Sequence, residues 1–259
     1  MKSTIKEEIL QFGIYLARTA GKKTLEMFNK DIEVISKDDD SPVTAADRMA
    51  ETWMREQIEK KYPDHGIIGE EFGTSGENKT IKWILDPIDG TRSFIHGVPL
   101  YTTLIGVTID DEPEVGIIYA PATDELCEAA TGMGARYNGR PCRVSNTDTL
   151  TKASLLSTDI TTIREEGMFD DFSHLLDQVK LHRTWGDAYG HMMVATGKAD
   201  IMFDPVLNVW DAAPLLPILH EAGGVFLDLK GNATINGGNG FSSNEILAKT
   251  VLSYMSSDL

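Results

Sequence analysis

Cysteine is nearly absent: the 259-residue chain carries Cys127 and Cys142 and no others. Two thiols in a chain of this length are no disulfide framework, and both read as reduced thiols of a cytoplasmic protein. No apolar run reaches eighteen residues, which excludes a membrane-spanning helix. Basic residues are scarce, with 24 Lys+Arg against 40 Asp+Glu, and the formal charge of −16 argues against nucleic acid or an anionic membrane as partner. The opening residues Met1 to Glu8 carry acids where a signal peptide needs an apolar core, so the sequence predicts no export. The histidines, at 65, 96, 174, 182, 191 and 220, lack zinc spacing.

What remains is an ordinary globular composition, 41% hydrophobic and 25% charged. Apolar residues at Ile9, Phe12, Leu16, Ala20 and Met27 predict a helix over 5–28. A short strand is expected at 32–35, then a polar, aperiodic loop from Lys37 to Pro42. A second helix, capped by Thr44, covers 45–61. Strands are expected at 66–71, where two acids are delivered into a glycine-containing loop, and at 82–85, 101–109, 114–119 and 126–130, the later ones joined as hairpins by turns at 110–113 and 132–139. Past Ser145 strands alternate with helices, the latter at 166–179, 188–196 and 211–222. The pattern predicts an α+β fold with an N-terminal half over 1–145 and an α/β half over 146–259, forming one unit without a linker.

The stretch Trp83-Ile84-Leu85-Asp86-Pro87-Ile88-Asp89-Gly90-Thr91 drives an apolar strand into two aspartates. A buried carboxylate needs a positive partner, and no basic residue lies between these two, so the missing charge reads as a metal ion. Pro87 stiffens a turn that brings Asp86 and Asp89 together with the Ile88 carbonyl. Hard oxygen donors of this kind suit Mg²⁺. Gly90 permits close backbone approach, and Thr91 opens a segment whose amides can receive an anion. Glu70 ends the strand before it, and Asp211 stands near a helix start, where its simplest reading is an N-cap.

Gly69-Glu70-Glu71, Trp83 to Thr91, and Trp210-Asp211-Ala212-Ala213 with Glu221-Ala222-Gly223-Gly224 together resemble the inositol monophosphatase family, in order and spacing. The segment Ser41 to Asp47 is similar to its mobile loop and the Thr-x-x-Asp that follows. The resemblance implies a layered α-β-α-β-α sandwich, Mg²⁺-dependent phosphomonoesterase activity and a homodimer. It also implies that Glu70, Asp86 and the Ile88 carbonyl hold one metal, and that Asp86, Asp89 and Asp211 hold a second. A third, weaker ion would lie near the loop at 37–40. The amides of Gly90 and Thr91 would take the phosphate, while Glu70, the Thr91 hydroxyl and Asp47 orient the attacking water.

Arg183 to Gly190, with Asp187 inside it, and Thr91 to Pro99 look like the histidinol-phosphate phosphatase branch of that family. Asp204, seven residues before Asp211, stands where inositol enzymes have a substrate-contacting glutamate. Asp187, Asp204 and Arg183 are therefore the candidate substrate-binding residues, and the ester is expected to carry a cationic leaving group. For Asp187 alone, an N-cap on the following helix is the competing structural reading. His96 is a candidate proton donor to the leaving alcohol. An inositol or broad sugar-phosphate phosphatase is the alternative, and a catalytically silent relative the alternative of another class. A bisphosphate nucleotidase would want a basic cluster for its second phosphate, and none is evident.

Overall fold

Both faces of the central strands are apolar, and that fact organises the molecule. The computed structural model describes residues 2–30, 34–36 and 42–255. Helix α1 (Lys2–Leu25) leads to the small hairpin β1 (Val34–Ser36) and β2 (Pro42–Thr44), then α2 (Ala45–Lys61). Next come β3 (Gly66–Gly69), β4 (Gly73–Ser75), β5 (Ile81–Asp89), the short helix α3 (Thr91–Ile95) and β6 (Thr102–Ile109). The first half ends with β7 (Glu112–Ala120), β8 (Glu125–Ala130), β9 (Ala135–Tyr137) and β10 (Arg140–Pro141). The second half holds β11 (Ser154–Ser157), α4 (Ile160–Glu165), α5 (Phe169–Leu176), β12 (Leu181–Arg183) and α6 (Asp187–Ala195). It closes with β13 (Ile201–Asp204), α7 (Val209–Glu221), β14 (Val225–Leu227), β15 (Gly240–Ser243) and α8 (Glu245–Met255). Residues 37–41 of the expected loop and the start of the strand expected at 32–35 lie outside the described residues, and Pro42 opens β2.

An eight-stranded sheet runs in the order β10-β9-β8-β7-β6-β5-β3-β4, and a five-stranded sheet in the order β12-β11-β13-β15-β14. The first is antiparallel except where β3 runs parallel to β5, and β11 is parallel to both β12 and β13 in the second. Side chains alternate between two buried faces. Trp83, Leu85, Ile105, Val107 and Ile117 pack under α1 and α2. Ile84, Leu104 and Ile118 meet Met192, Leu215 and Ile218 of α6 and α7. Beyond the second sheet, Leu155, Ile201 and Phe203 pack against α5 and α8. Helices thus cover both outer faces and fill the space between the sheets, the α-β-α-β-α layering that the motifs imply.

Local chemistry explains the departures from the sequence reading. The strand expected to stop at Leu85 continues to Asp89, with a register shift against β6 between Asp86 and Asp89. The helix expected over 166–179 is two helices. Gly167, at φ 73°, ends α4 in a Schellman motif, its amide and that of Met168 donating to Arg164 and Ile163. The β6–β7 turn places Asp110 and Asp111 at φ 55° and 67°, as a two-residue hairpin turn of type I′ requires. Strands β9, β10 and β15 are too short for periodicity to reveal, whereas α8, with Leu247, Ala248, Val251 and Met255 buried at helical spacing, carried a periodic signal that the sequence reading missed.

Helix α7 sits on the first sheet by backbone contact. Gly106 and Gly116 are cross-strand partners in β6 and β7. A Cβ on Gly116 would stand 2.1 Å from the Pro214 carbonyl oxygen, and one on Gly106 2.5 Å from the Ala213 Cβ. Pro214 and Pro217 each remove a donor from within α7, so the helix relies on this docking more than on its own ladder. Gly116→Ala is expected to cost about 3 kcal/mol, the upper range for overpacking a filled core. Thermal denaturation should show a fall of roughly 6–12 °C, given about 2–4 °C per kcal/mol in a protein near this size. A melting temperature within a degree of the parent would show that α7 moves aside freely.

Candidate active site

Strand geometry alone would point Asp86 and Asp89 to opposite faces, since they are three residues apart. The irregularity in β5 inserts a residue and turns both carboxylates to one side. Asp86 Oδ1 accepts from the Ile88 amide at 3.0 Å, closing the small loop around Pro87. Asp89 Oδ2 accepts from the Thr102 hydroxyl and the Ala188 amide, each at 2.8 Å. Its Oδ1 has no donor among the described residues.

Asp211 is delivered by α7. Asn208 is the N-cap of that helix, and Asp211 is the third residue inside it, accepting from the Asn208 amide at 2.7 Å. The expected N-cap role thus falls to Asn208, three residues upstream. Ligand oxygens of Asp86, Asp89 and Asp211 lie within 4.8 Å of one another. Burial pushes all three carboxyls well above the usual range, with mutual repulsion adding to it; Glu70 and Asp89 act on Asp86, Asp187 on Asp89, and Asp89 on Asp211. Glu70 also stands within hydrogen-bonding reach of Asp86. A hard divalent cation fits this donor set, because it would meet oxygens only and cancel the repulsion.

Glu51 fixes the turn that carries Glu70, and the sequence reading missed it. Its buried carboxylate accepts from the amides of Glu71 at 2.8 Å and Phe72 at 3.3 Å and pairs with Arg55 Nε at 2.7 Å. Arg55 reaches on to the Gly73 carbonyl. The available signal was an acid beside Ala50 on the core face of α2, with an arginine four residues on.

Gly90, at φ 78°, precedes α3. The position suits glycine twice over, because a Cβ there would stand 2.9 Å from Asp187 Oδ2. Thr91 donates its hydroxyl to the Ile88 carbonyl at 3.0 Å, with Asp47 Oδ1 at 3.5 Å. Asp47 is held by Thr44, whose amide and hydroxyl donate to Oδ2 at 2.8 and 2.5 Å in a capping box. Burial raises the Asp47 carboxyl to about 6, against the lowering effect of the Thr44 bonds.

A cavity of about 710 Å³ opens over these groups, bounded by Glu70, Gly90, Thr91, Arg92, Thr158 and Asp187 among others. Asp187 is the first residue of α6 and sits at φ 53°, with Gly186 as the N-cap. Burial pushes its carboxyl up to about 7, Asp204 and Asp211 adding to the shift and Arg92 opposing it. Asp204 is only 3% exposed, and its two oxygens meet Thr158 and His191. Arg183 is exposed on β12, donates to its neighbour's carbonyl on His182 at 2.7 Å, and does not line the cavity. His96 is likewise exposed, its Nδ1 2.8 Å from the Arg92 carbonyl, and lies outside the cavity lining. Cys127 and Cys142 are free thiols remote from these acids in sequence and strand position.

The model of the inositol monophosphatase family matches residues 5–257. A histidinol-phosphatase of Chlorobaculum parvum is 41% identical over 249 residues, 94% of this chain and 95% of that one. A histidinol-phosphatase of Mycobacterium tuberculosis is 37% identical over 94% of this chain and 96% of its own. Inositol monophosphatase 1 of Rattus norvegicus is 36% identical over 87% and 85%. Among solved structures, the extragenic suppressor protein suhB of Bartonella henselae superposes with a TM-score of 0.90 at 26% identity, covering 97% of this chain and all of that one. The Thermotoga maritima IMPase gives 0.88 at 28% identity, over 96% of each chain. With its acids gathered on the end of β5 and the start of α7, and with a family match over nearly its whole length, the chain belongs to the inositol monophosphatase family.

Proposed function

We propose that the chain is a magnesium-dependent phosphomonoesterase that hydrolyses L-histidinol phosphate to L-histidinol and phosphate. The observation that carries this reading is the placement of Asp187. A half-buried carboxylate with no hydrogen-bond donor among the described residues stands in the cavity wall, beside the Gly90–Thr91 segment and the metal-ligand candidates. Histidinol offers an ammonium and a partly protonated imidazole to such a group, whereas inositol offers only hydroxyls. The histidinol-phosphatase relatives, at 35–41% identity over nearly the whole chain, support the same reading.

In this assignment Asp86, Asp89, Asp211, Glu70 and the Ile88 carbonyl hold Mg²⁺. When bound, the metal supplies the positive charge that a phosphoryl group and its attacking water require. The amides of Gly90 and Thr91 receive phosphate oxygens, as a helix start does. Glu70 and the Thr91 hydroxyl orient the water, with Asp47 behind Thr91 at 3.5 Å. Asp187 receives the cationic leaving group. Positioning and charge neutralisation supply most of what phosphoryl transfer needs. The inositol monophosphatase relatives keep an inositol phosphatase as the second reading, with the same metal-binding residues and a different ester.

Asp89→Asn should leave a folded chain with little phosphatase activity. It should also reduce the thermal stabilisation by Mg²⁺, which for a site at a hundred times its Kd is about 2.7 kcal/mol. Full activity in excess chelator, or a variant within a few-fold of the parent, would remove Asp89 and its cation from the mechanism. Asp187→Asn should lower kcat/KM on histidinol phosphate by about ten- to a hundredfold, the range for one charge-assisted hydrogen bond. Hydrolysis of glycerol 2-phosphate should change much less. A parent that prefers inositol 1-phosphate would replace the reading with the second one, and no Mg²⁺-dependent phosphate release from any ester would mark a silent relative.

A further inference from the structure

Asp187 occupies a conformation that side-chain-bearing residues rarely adopt, and its carboxylate has no hydrogen-bond donor among the described residues to hold it there. Strain of this kind persists only where the surroundings impose it. The backbone is gripped instead. The Asp187 amide donates to the Thr158 hydroxyl at 2.9 Å, and the next amide, of Ala188, donates to Asp89 at 2.8 Å. Gly186 presses so closely on the same threonine that a Cβ there would stand 2.2 Å from the Thr158 Cα.

The threonine is itself held. Its hydroxyl has a single proton, which it gives to Asp204 Oδ1 at the end of β13. The other oxygen, Oδ2, stands 3.1 Å from His191 Nε2 on α6, and His191 Nδ1 stands 2.6 Å from the Ser242 hydroxyl on β15. His191 and Ser242 are fully buried and Asp204 nearly so, so the run of bonds is sheltered from water from Asp204 inward. The ring of Phe226 packs edge-on against the imidazole at 5.8 Å, which fixes its plane. A polar histidine and aspartate in the layer between α6 and the second sheet are costly there unless every group is satisfied, and here each has its partner.

We infer that Thr158, Asp204, His191 and Ser242 form a buried positioning chain that holds Asp187 in its left-handed conformation, facing the leaving-group side of the cavity. Asp204 therefore serves the substrate through Thr158 and the Asp187 backbone. The chain ties a specificity group at the start of α6 to strands β13 and β15 of the second sheet and to the next turn of its own helix, which is how a lone carboxylate keeps its place without a direct partner. This inference rests on the reading of Asp187 as the acid that meets the leaving group.

The competing account is that these four residues only satisfy one another in the core. Thr158→Val keeps the shape and removes both hydroxyl bonds, Thr158→Ser restores them, and Asp204→Asn weakens the next bond without changing volume. Steady-state kinetics at saturating Mg²⁺ on histidinol phosphate and glycerol 2-phosphate separate the two accounts. With Thr158→Val the KM for histidinol phosphate should rise about tenfold, the loss expected for one hydrogen bond near a charged group. Its kcat, and both constants for glycerol 2-phosphate, should stay within about twofold, and the serine variant should return to the parent. Asp204→Asn should show the same selective loss if the valine variant does not fold. Adding Thr158→Val to Asp187→Ala should cause almost no further loss, because the group being positioned is gone. Equal losses on both esters, or losses that multiply in the double variant, would overturn the inference. Should the parent favour another ester, the substrate reading fails, and the same double-variant cycle on that ester still decides whether Thr158 acts through Asp187.

Discussion

Three carboxylates whose ligand oxygens crowd within 4.8 Å must be kept together against their own repulsion and the cost of leaving water. Most of the surrounding structure answers to that constraint. None of the acids is left to its own rotamer: an amide of the next loop holds Asp86, a threonine and a helix amide hold Asp89, and a capping box holds Asp211. Each restraint uses one oxygen of its carboxylate and comes from backbone or hydroxyl donors, which add no formal charge. The site therefore keeps its negative field and its ligand capacity at once. A nearby lysine would have relieved the repulsion and left little affinity for a cation.

The restraint on Asp89 has a second function, because its Ala188 donor follows Asp187 directly. The metal-ligand candidate and the substrate-side candidate thus share one stretch of backbone, linking the end of the first sheet to α6. Asp47 and Glu51 play comparable parts from α2, the first behind Thr91 and the second beneath Glu70. Both are buried acids: Asp47 spends its oxygens on an amide and hydroxyls, Glu51 on two amides and the Arg55 guanidinium. The same device, a carboxylate clasping a neighbouring segment, thus recurs on successive turns of α2.

Much of the candidate site was legible in the sequence because its residues are packed into short, chemically improbable strings. An apolar strand ending Asp-Pro-Ile-Asp-Gly-Thr has few explanations other than a cation and an anion side by side. The layered fold was legible through the family motifs and the long apolar strands β5 to β8. Two features were illegible for a common reason, which is that they depend on contacts between distant segments. The bulge that turns Asp86 and Asp89 to one side exists only against β6, and the role of Glu51 exists only against the β3–β4 turn. Asp204 shows a related limit. Its position before Asp211 suggested contact with substrate, but its bonds to Thr158 and His191 come from segments 46 and 13 residues away. The split of the 166–179 helix was readable in principle from Gly167, and periodicity outweighed it.

The glycine pair beneath α7 bears on the metal cluster. Asp86 and Asp211 come from different halves of the chain, yet their separation is set where α7 rests on the bare backbone of Gly106 and Gly116. On the sheet side that seam has no side chain at all, and on the helix side it has only Ala213 Cβ and the Pro217 ring. The gauge between the two halves of the metal cluster is therefore a distance between main chains, and in this chain it is fixed apart from the side chains that line the cavity.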